Sequence, residues 1–196
     1  QGNSYRIIYI HVPAAVVALA GYYVMAIAGA IRLIWRIKLA DVAMRAAAPV
    51  GAVLTGVALV TGAIWGKPTW GAWWVWDARI TSMLILFFLY LGVVALFEAY
   101  ENKAAAAKAC AVLTLVGTVN IPIIYKSVDW GYSLHQPASL KFTGESAIDA
   151  SMLYPLLVMI AAFYLLFAVS VLLYMRAELV WQHRNASWLR QRLGTS

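Results

Sequence analysis

The chain has 196 residues, of which 64% are hydrophobic and only 12% charged, with a mean hydropathy of +0.78 and a net charge of +7. A water-soluble domain of this length carries about a quarter charged residues, so most of this chain is built for lipid, and its length fits one domain. The positive balance does not form a nucleic-acid-binding stripe, because the basic residues sit at the ends of apolar runs, a pattern that sets membrane topology.

In chain order, Gln1 is not an initiator and no basic region precedes the first apolar run. No cleavable signal is therefore expected, and the chain is expected to begin partway into a longer one. A spanning helix needs about 20 apolar residues, and five runs qualify: residues 12–34, 46–65, 80–100, 104–125 and 151–175. Pro13 and Pro155 fall near the starts of the first and last runs, where a missing N–H does little harm. Pro122 lies inside the fourth and predicts a kink. Glu98 and Asn120 lie toward helix ends and are expected to serve packing or interfaces. Cys110, the single cysteine, is read as a small buried side chain. The fold class is an all-α polytopic membrane helix bundle, with five transmembrane helices visible.

The connections fall into two sets. One includes Arg32, Arg36, Lys38, Arg45, Lys103, Lys108, Arg176, Arg184, Arg190 and Arg192. The other holds Arg6, Lys67, Arg79, Lys126 and Lys141. This bias assigns the first set, with the tail 176–196, to the cytoplasm. The N-terminus, the segment 65–80 and the loop 126–150 then share the outer face. No G-x-x-x-x-G-K-[ST] loop is present, so the chain is not expected to hydrolyse ATP itself.

The segment "WGKPTWGAWWVWDARITS" holds five of the nine tryptophans, followed at once by Asp77 and Arg79. If it is helical, Trp70, Trp73, Trp74 and Asp77 share one face, with Trp65 and Trp76 off it. One explanation is an interfacial aromatic belt with Asp77 and Arg79 as a simple ion pair. The other is a platform for a large flat ligand, with Arg79 meeting an acidic edge. Of the three histidines, His183 sits in a basic amphipathic tail with Trp181 and Trp188, and reads as solvated. His11 and His135 are the two on the outer face. Each alone is more often structural, but imidazole is the commonest axial ligand of haem iron. Haem is flat, largely apolar and carries two propionates, which suits Trp, His and Arg together. A hydrolytic zinc site, usually with three protein ligands, is not suggested.

"WGAWWVWDARITS" resembles the tryptophan-rich signature of the haem-handling membrane proteins of cytochrome c biogenesis. With "SYRIIYIHVPAA" before it and "WGYSLHQPASL" after it, nearly the whole chain is similar to the haem exporter protein C family, also called cytochrome c maturation protein C. The resemblance implies a bacterial inner-membrane protein that binds b-type, non-covalent haem on its periplasmic side. It implies His11 and His135 as the axial pair, and Arg6 and Arg79 as the outer-face arginines. It also implies delivery of haem to a periplasmic haem chaperone (CcmE), in a complex with an ATPase (CcmA), a second membrane subunit (CcmB) and a small single-span protein (CcmD). No covalent catalysis of its own is implied. The family has six helices, so its first is expected to lie outside this sequence. Two other readings stand beside it: a transport subunit whose tryptophan-rich vestibule admits another amphiphile, and an electron-transfer cytochrome b. The latter usually holds haem between histidines inside spanning helices, and no central helix position here is histidine.

Overall fold

The computed structural model describes residues 2–130, 133, 135, 148–184 and 186. Gln1, Lys141, Trp188, Arg190 and Arg192, named above, lie outside the described residues. After a short 3-10 turn, Gly2–Ile7, six helices follow: α1 (Ile8–Trp35), α2 (Lys38–Trp70), α3 (Ala78–Ala99), α4 (Lys103–Gly117), α5 (Asn120–Lys126) and α6 (Ala150–Gln182). Among the described residues there is no strand. Five stretches are long and apolar enough to cross a membrane, with α4 and α5 forming one of them. The chain is an all-helical membrane protein.

Several helices run past their apolar cores. At about 1.5 Å per residue, the 33 residues of α2 extend roughly 50 Å, against a hydrocarbon core of about 30 Å. The last turns of α2 therefore have the length to stand clear of the core. Helix α1 begins five residues before Pro13, so Pro13 and His11 lie within it rather than at its start. Pro155 is likewise the sixth residue of α6. The fourth run breaks at Thr118–Val119, ahead of Pro122. Proline has no N–H to give the carbonyl one turn back, which here is that of Thr118. Ile121 N–H bonds Thr118 O instead, at 3.1 Å.

Helix α1 is central, packed against α2, α4 and α6, while α3 packs on α2, α4 and α5. At the centre of the core Tyr22 and Tyr90 meet edge to face, 5.2 Å between ring centres, and the Tyr90 hydroxyl donates to Ala18 O at 2.7 Å. A buried phenol is tolerated because its polar tip has a partner. Asn120 Nδ2 donates to Ser82 O at 2.8 Å, tying α5 to α3, so its role is in packing. At the end opposite the tryptophan segment, Arg45 of α2 pairs with Glu98 of α3 at 2.8 Å and Glu178 of α6 at 3.4 Å. His183 sits at that end too, its Nδ1 2.9 Å from Leu179 O.

Candidate functional site

Helix α2 stops at Trp70 because Gly71 takes a left-handed conformation, φ 78°, with its N–H on Lys67 O at 3.0 Å. A β-carbon is disfavoured there. Residues 72–77 then run without helix until Asp77 starts α3. The expected helical face from Trp70 through Asp77 is thus not formed. The turn, rather than a 3.6-residue period, brings the rings together. Trp70, Trp73 and Trp74 still line one cavity, shared with His11, Arg79 and His135.

Asp77 takes a different position from the three rings. It is only 6% exposed, and its Oδ1 accepts the Ile80 N–H at 2.8 Å as the N-cap of α3. Its Oδ2 accepts the Ser133 hydroxyl at 2.6 Å. Ser133 Oγ in turn accepts the His135 N–H at 3.1 Å. The carboxylate that ends the tryptophan segment therefore also holds the segment bearing His135.

His11 comes from α1 and is oriented by α2. Its Nδ1 lies 3.0 Å from Ala58 O and 3.1 Å from Thr61 Oγ. A carbonyl only accepts, and the Thr61 hydroxyl already donates to Val57 O at 2.6 Å. We therefore assign the proton to Nδ1, which leaves the Nε2 lone pair available. Ala58, Thr61, Gly62 and Trp65 follow at i, i+3, i+4 and i+7 along α2 and form the wall behind this ring. Trp65 meets His11 edge-on at 5.9 Å and Tyr5 at 5.7 Å. Gly62 lets the imidazole lie close: a Cβ there would stand 3.1 Å from His11 Cε1.

His135 arrives from the other side. Its ring centre is 6.1 Å from that of His11, at 76°, and 5.4 Å from that of Trp70. Burial lowers its pKa to about 4, with the charge of Arg79 and the neighbouring His11 acting in the same direction and Asp77 against them. His135 is therefore neutral at neutral pH, the form in which imidazole ligates a metal. Its Nδ1 and the Trp74 Nε1 are buried with no hydrogen-bond partner among the described residues. Such groups are costly in a folded protein, and they converge on the same cavity.

The remaining candidates divide. Arg79 lines the cavity, whereas Arg6 is exposed on the 3-10 turn and does not. Trp76 is 75% exposed, though it touches Trp74 at 5.4 Å between ring centres. Sequence reasoning missed Thr61 and Ser133, and ranked Trp65 low although it backs His11. The spacing of residues 58, 61, 62 and 65 was a usable signal for the first and third. Nothing in the sequence marks Ser133. The cavity measures about 80 Å³, too small for a macrocycle without movement at its rim. A second, larger cavity of about 470 Å³ lies at the opposite end, around Arg45, Glu98 and Glu178. Its charges are already paired, and no histidine lines it. Among the described residues no cluster of three or more His, Cys, Asp or Glu could hold a metal ion alone.

The sequence model of the family described as Heme exporter protein C matches residues 1–190. Heme exporter protein C of Bradyrhizobium diazoefficiens is 53% identical over 180 residues, covering 92% of this chain and 68% of that protein. Its namesake in Escherichia coli K12 is 48% identical over 191 residues, 97% of this chain and 77% of the relative. That of Paracoccus denitrificans is 47% identical over 180 residues, 91% and 75% respectively.

Proposed function

The chain belongs to the heme exporter protein C family, and from that premise we propose that it binds haem between His11 and His135 and presents it at the outer face to a soluble haem chaperone for cytochrome c assembly. The observation that carries the reading is the convergence of these two imidazoles, 6.1 Å apart, from α1 and from the segment before α6. Two imidazoles that ligate one metal at about 2 Å each hold their ring centres roughly 6 Å apart.

The chemistry of the surroundings suits haem. The Ala58 carbonyl and Thr61 hydroxyl hold the His11 Nδ1 proton, the outer-shell contact that ligating histidines usually make. Trp70, Trp73 and Trp74 supply flat apolar walls. Arg79 supplies a cation for a propionate, and the unpaired Trp74 Nε1 an additional donor. Arg6, exposed at the same end, is assigned to the second propionate. Bound haem is non-covalent and its iron sits at these two histidines. A macrocycle needs more room than about 80 Å³, so the rim opens to admit it. Trp73, 58% exposed, and Trp74, both on the non-helical segment after Gly71, are rim groups not fixed by helix packing. A vestibule for another amphiphile gives no reason for two imidazoles held ring to ring.

Charge supports the orientation: Arg32, Arg36, Lys38, Arg45, Lys103 and Lys108 flank the opposite end of the helices, the cytoplasmic side by the positive-inside bias. The haem site is then periplasmic, in the bacterial inner membrane, with the C-terminus cytoplasmic. Among the described residues the core of the bundle is mainly apolar, with Thr55 and Thr114 among its few buried polar side chains, and it offers an anionic macrocycle no charged path. Haem accordingly leaves at the outer face. The energy of the cycle comes from the partner ATPase, in a complex with a second membrane subunit and a small single-span protein, and is used to release the loaded chaperone. The test inactivates the ATPase and assays two steps. Haem remains on this chain and still passes to the chaperone, and transfer is lost when either histidine is replaced. A chain that lacks haem under these conditions, with both histidines intact, overturns the handover.

A further inference from the structure

A charged carboxylate that is 6% exposed needs partners for both its oxygens, because an uncompensated buried charge is costly. Asp77 uses them on two different parts of the chain. Oδ1 caps α3 through the Ile80 N–H at 2.8 Å. Oδ2 takes the Ser133 hydroxyl at 2.6 Å, in the short range of a charge-assisted O–H···O⁻ bond. With its single proton committed to Asp77, Ser133 has only lone pairs left, and one of them receives the His135 N–H at 3.1 Å. The donors therefore all lead to the carboxylate: the His135 N–H donates to Ser133 Oγ, the Ser133 hydroxyl donates to Asp77 Oδ2, and the Ile80 N–H at the start of α3 donates to Asp77 Oδ1. The His135 ring has no such hold of its own, since its Nδ1 is without a hydrogen-bond partner among the described residues. This contrasts with His11, whose Nδ1 is gripped by α2.

We propose that Asp77 and Ser133 are positioning residues for haem binding: they fix the backbone at His135 against α3, and so set where its imidazole meets the iron. The inference rests on the reading of His135 as a ligand. The aspartate at the end of the tryptophan segment thus serves haem without touching it, by joining the ring platform to the second histidine. The link also makes the two halves of the site interdependent. The turn at Gly71 places the rings, and the residue that closes that same excursion, Asp77, places the ligand opposite His11.

The test uses the full-length protein in lipid nanodiscs, prepared free of haem and titrated with it, with His135→Ala as the reference. Ser133→Ala is expected to weaken haem binding about ten-fold or more, the effect of losing a hydrogen bond to a charged group, and to move the absorption spectrum toward that of His135→Ala. Ser133→Thr keeps the hydroxyl and restores both. Asp77→Asn keeps the helix cap, since Asn caps as well as Asp, and so retains the fold. It weakens binding about ten-fold through the lost charge. Amide hydrogen exchange on the haem-free protein supplies a second readout: the His135 amide, which donates to Ser133 Oγ, exchanges faster in Ser133→Ala, while those of the first turn of α3 do not. If His135→Ala alters the spectrum but Ser133→Ala binds haem with wild-type affinity and spectrum, the positioning role is wrong. If His135→Ala itself leaves the spectrum unchanged, the ligand assignment falls, and this inference with it.

Discussion

Replacing Gly62 with alanine separates the stability of the bundle from the geometry of its histidine pocket. The position is inside α2, where glycine costs a helix about 0.5–1 kcal/mol relative to alanine. On backbone grounds the substitution stabilises the protein or leaves it unchanged. The added methyl, however, would stand 3.1 Å from His11 Cε1 and 3.5 Å from its Nδ1, so the ring retreats by a few tenths of an ångström. It has little freedom to do so, being held at 3.0 Å by Ala58 O and 3.1 Å by Thr61 Oγ. Retreat stretches those bonds and re-aims Nε2. Disturbing the outer contacts of a ligating histidine costs about 10- to 100-fold in affinity, and a displacement this small belongs at the lower end, about ten-fold. The assay is haem titration followed by absorption, with thermal unfolding of the same samples. A Gly62→Ala protein that unfolds at or above the wild-type temperature and binds haem about ten-fold more weakly supports the pocket. Wild-type affinity in a well-folded Gly62→Ala protein refutes the claim that His11 faces the haem from this position.

Thr61→Val removes the second acceptor of the His11 Nδ1 proton while Ala58 O remains. A loss near 1 kcal/mol, about five-fold in haem affinity by titration, is expected. Trp70→Ala removes the ring against His135 and weakens haem retention on a column by more than Trp76→Ala, whose ring is mostly exposed. Arg79→Lys keeps the charge but not the fork that matches a carboxylate. It lowers affinity for haem and leaves affinity for a porphyrin with esterified propionates unchanged. Arg45→Met, at the opposite end, breaks the contacts with Glu98 and Glu178 and alters thermal stability by about 1 kcal/mol without moving the haem spectrum.

The membrane helices were legible because their cause is local: runs of apolar residues of sufficient length admit only helix in lipid. The fourth run's irregularity was legible too, from the missing proline N–H, although the break falls at Thr118–Val119 rather than at Pro122 itself. The tryptophan segment was harder. Its spacing fits a helix through Asp77, but the left-handed Gly71 overrides that period, and a glycine in a sequence does not announce the sign of its φ. The cavity-lining set was only partly readable for the same reason. Trp70, Trp73 and Trp74 converge, whereas Asp77 turns inward to a helix cap and a serine. Thr61 shares the 58, 61, 62, 65 spacing along α2, but that period does not say which side chain the face meets, and Ser133 carries no such spacing. Their roles come from contacts between residues far apart in the chain, which no local pattern encodes.

The absorption spectrum of the purified, haem-loaded protein tests most directly whether His11 and His135 both ligate the haem iron. Replacing either one by glycine should convert the spectrum of iron with two imidazole ligands to that of iron with one. Free imidazole, which matches the ring that the substitution removes, should restore it in part. A spectrum unchanged in both single variants would contradict the account.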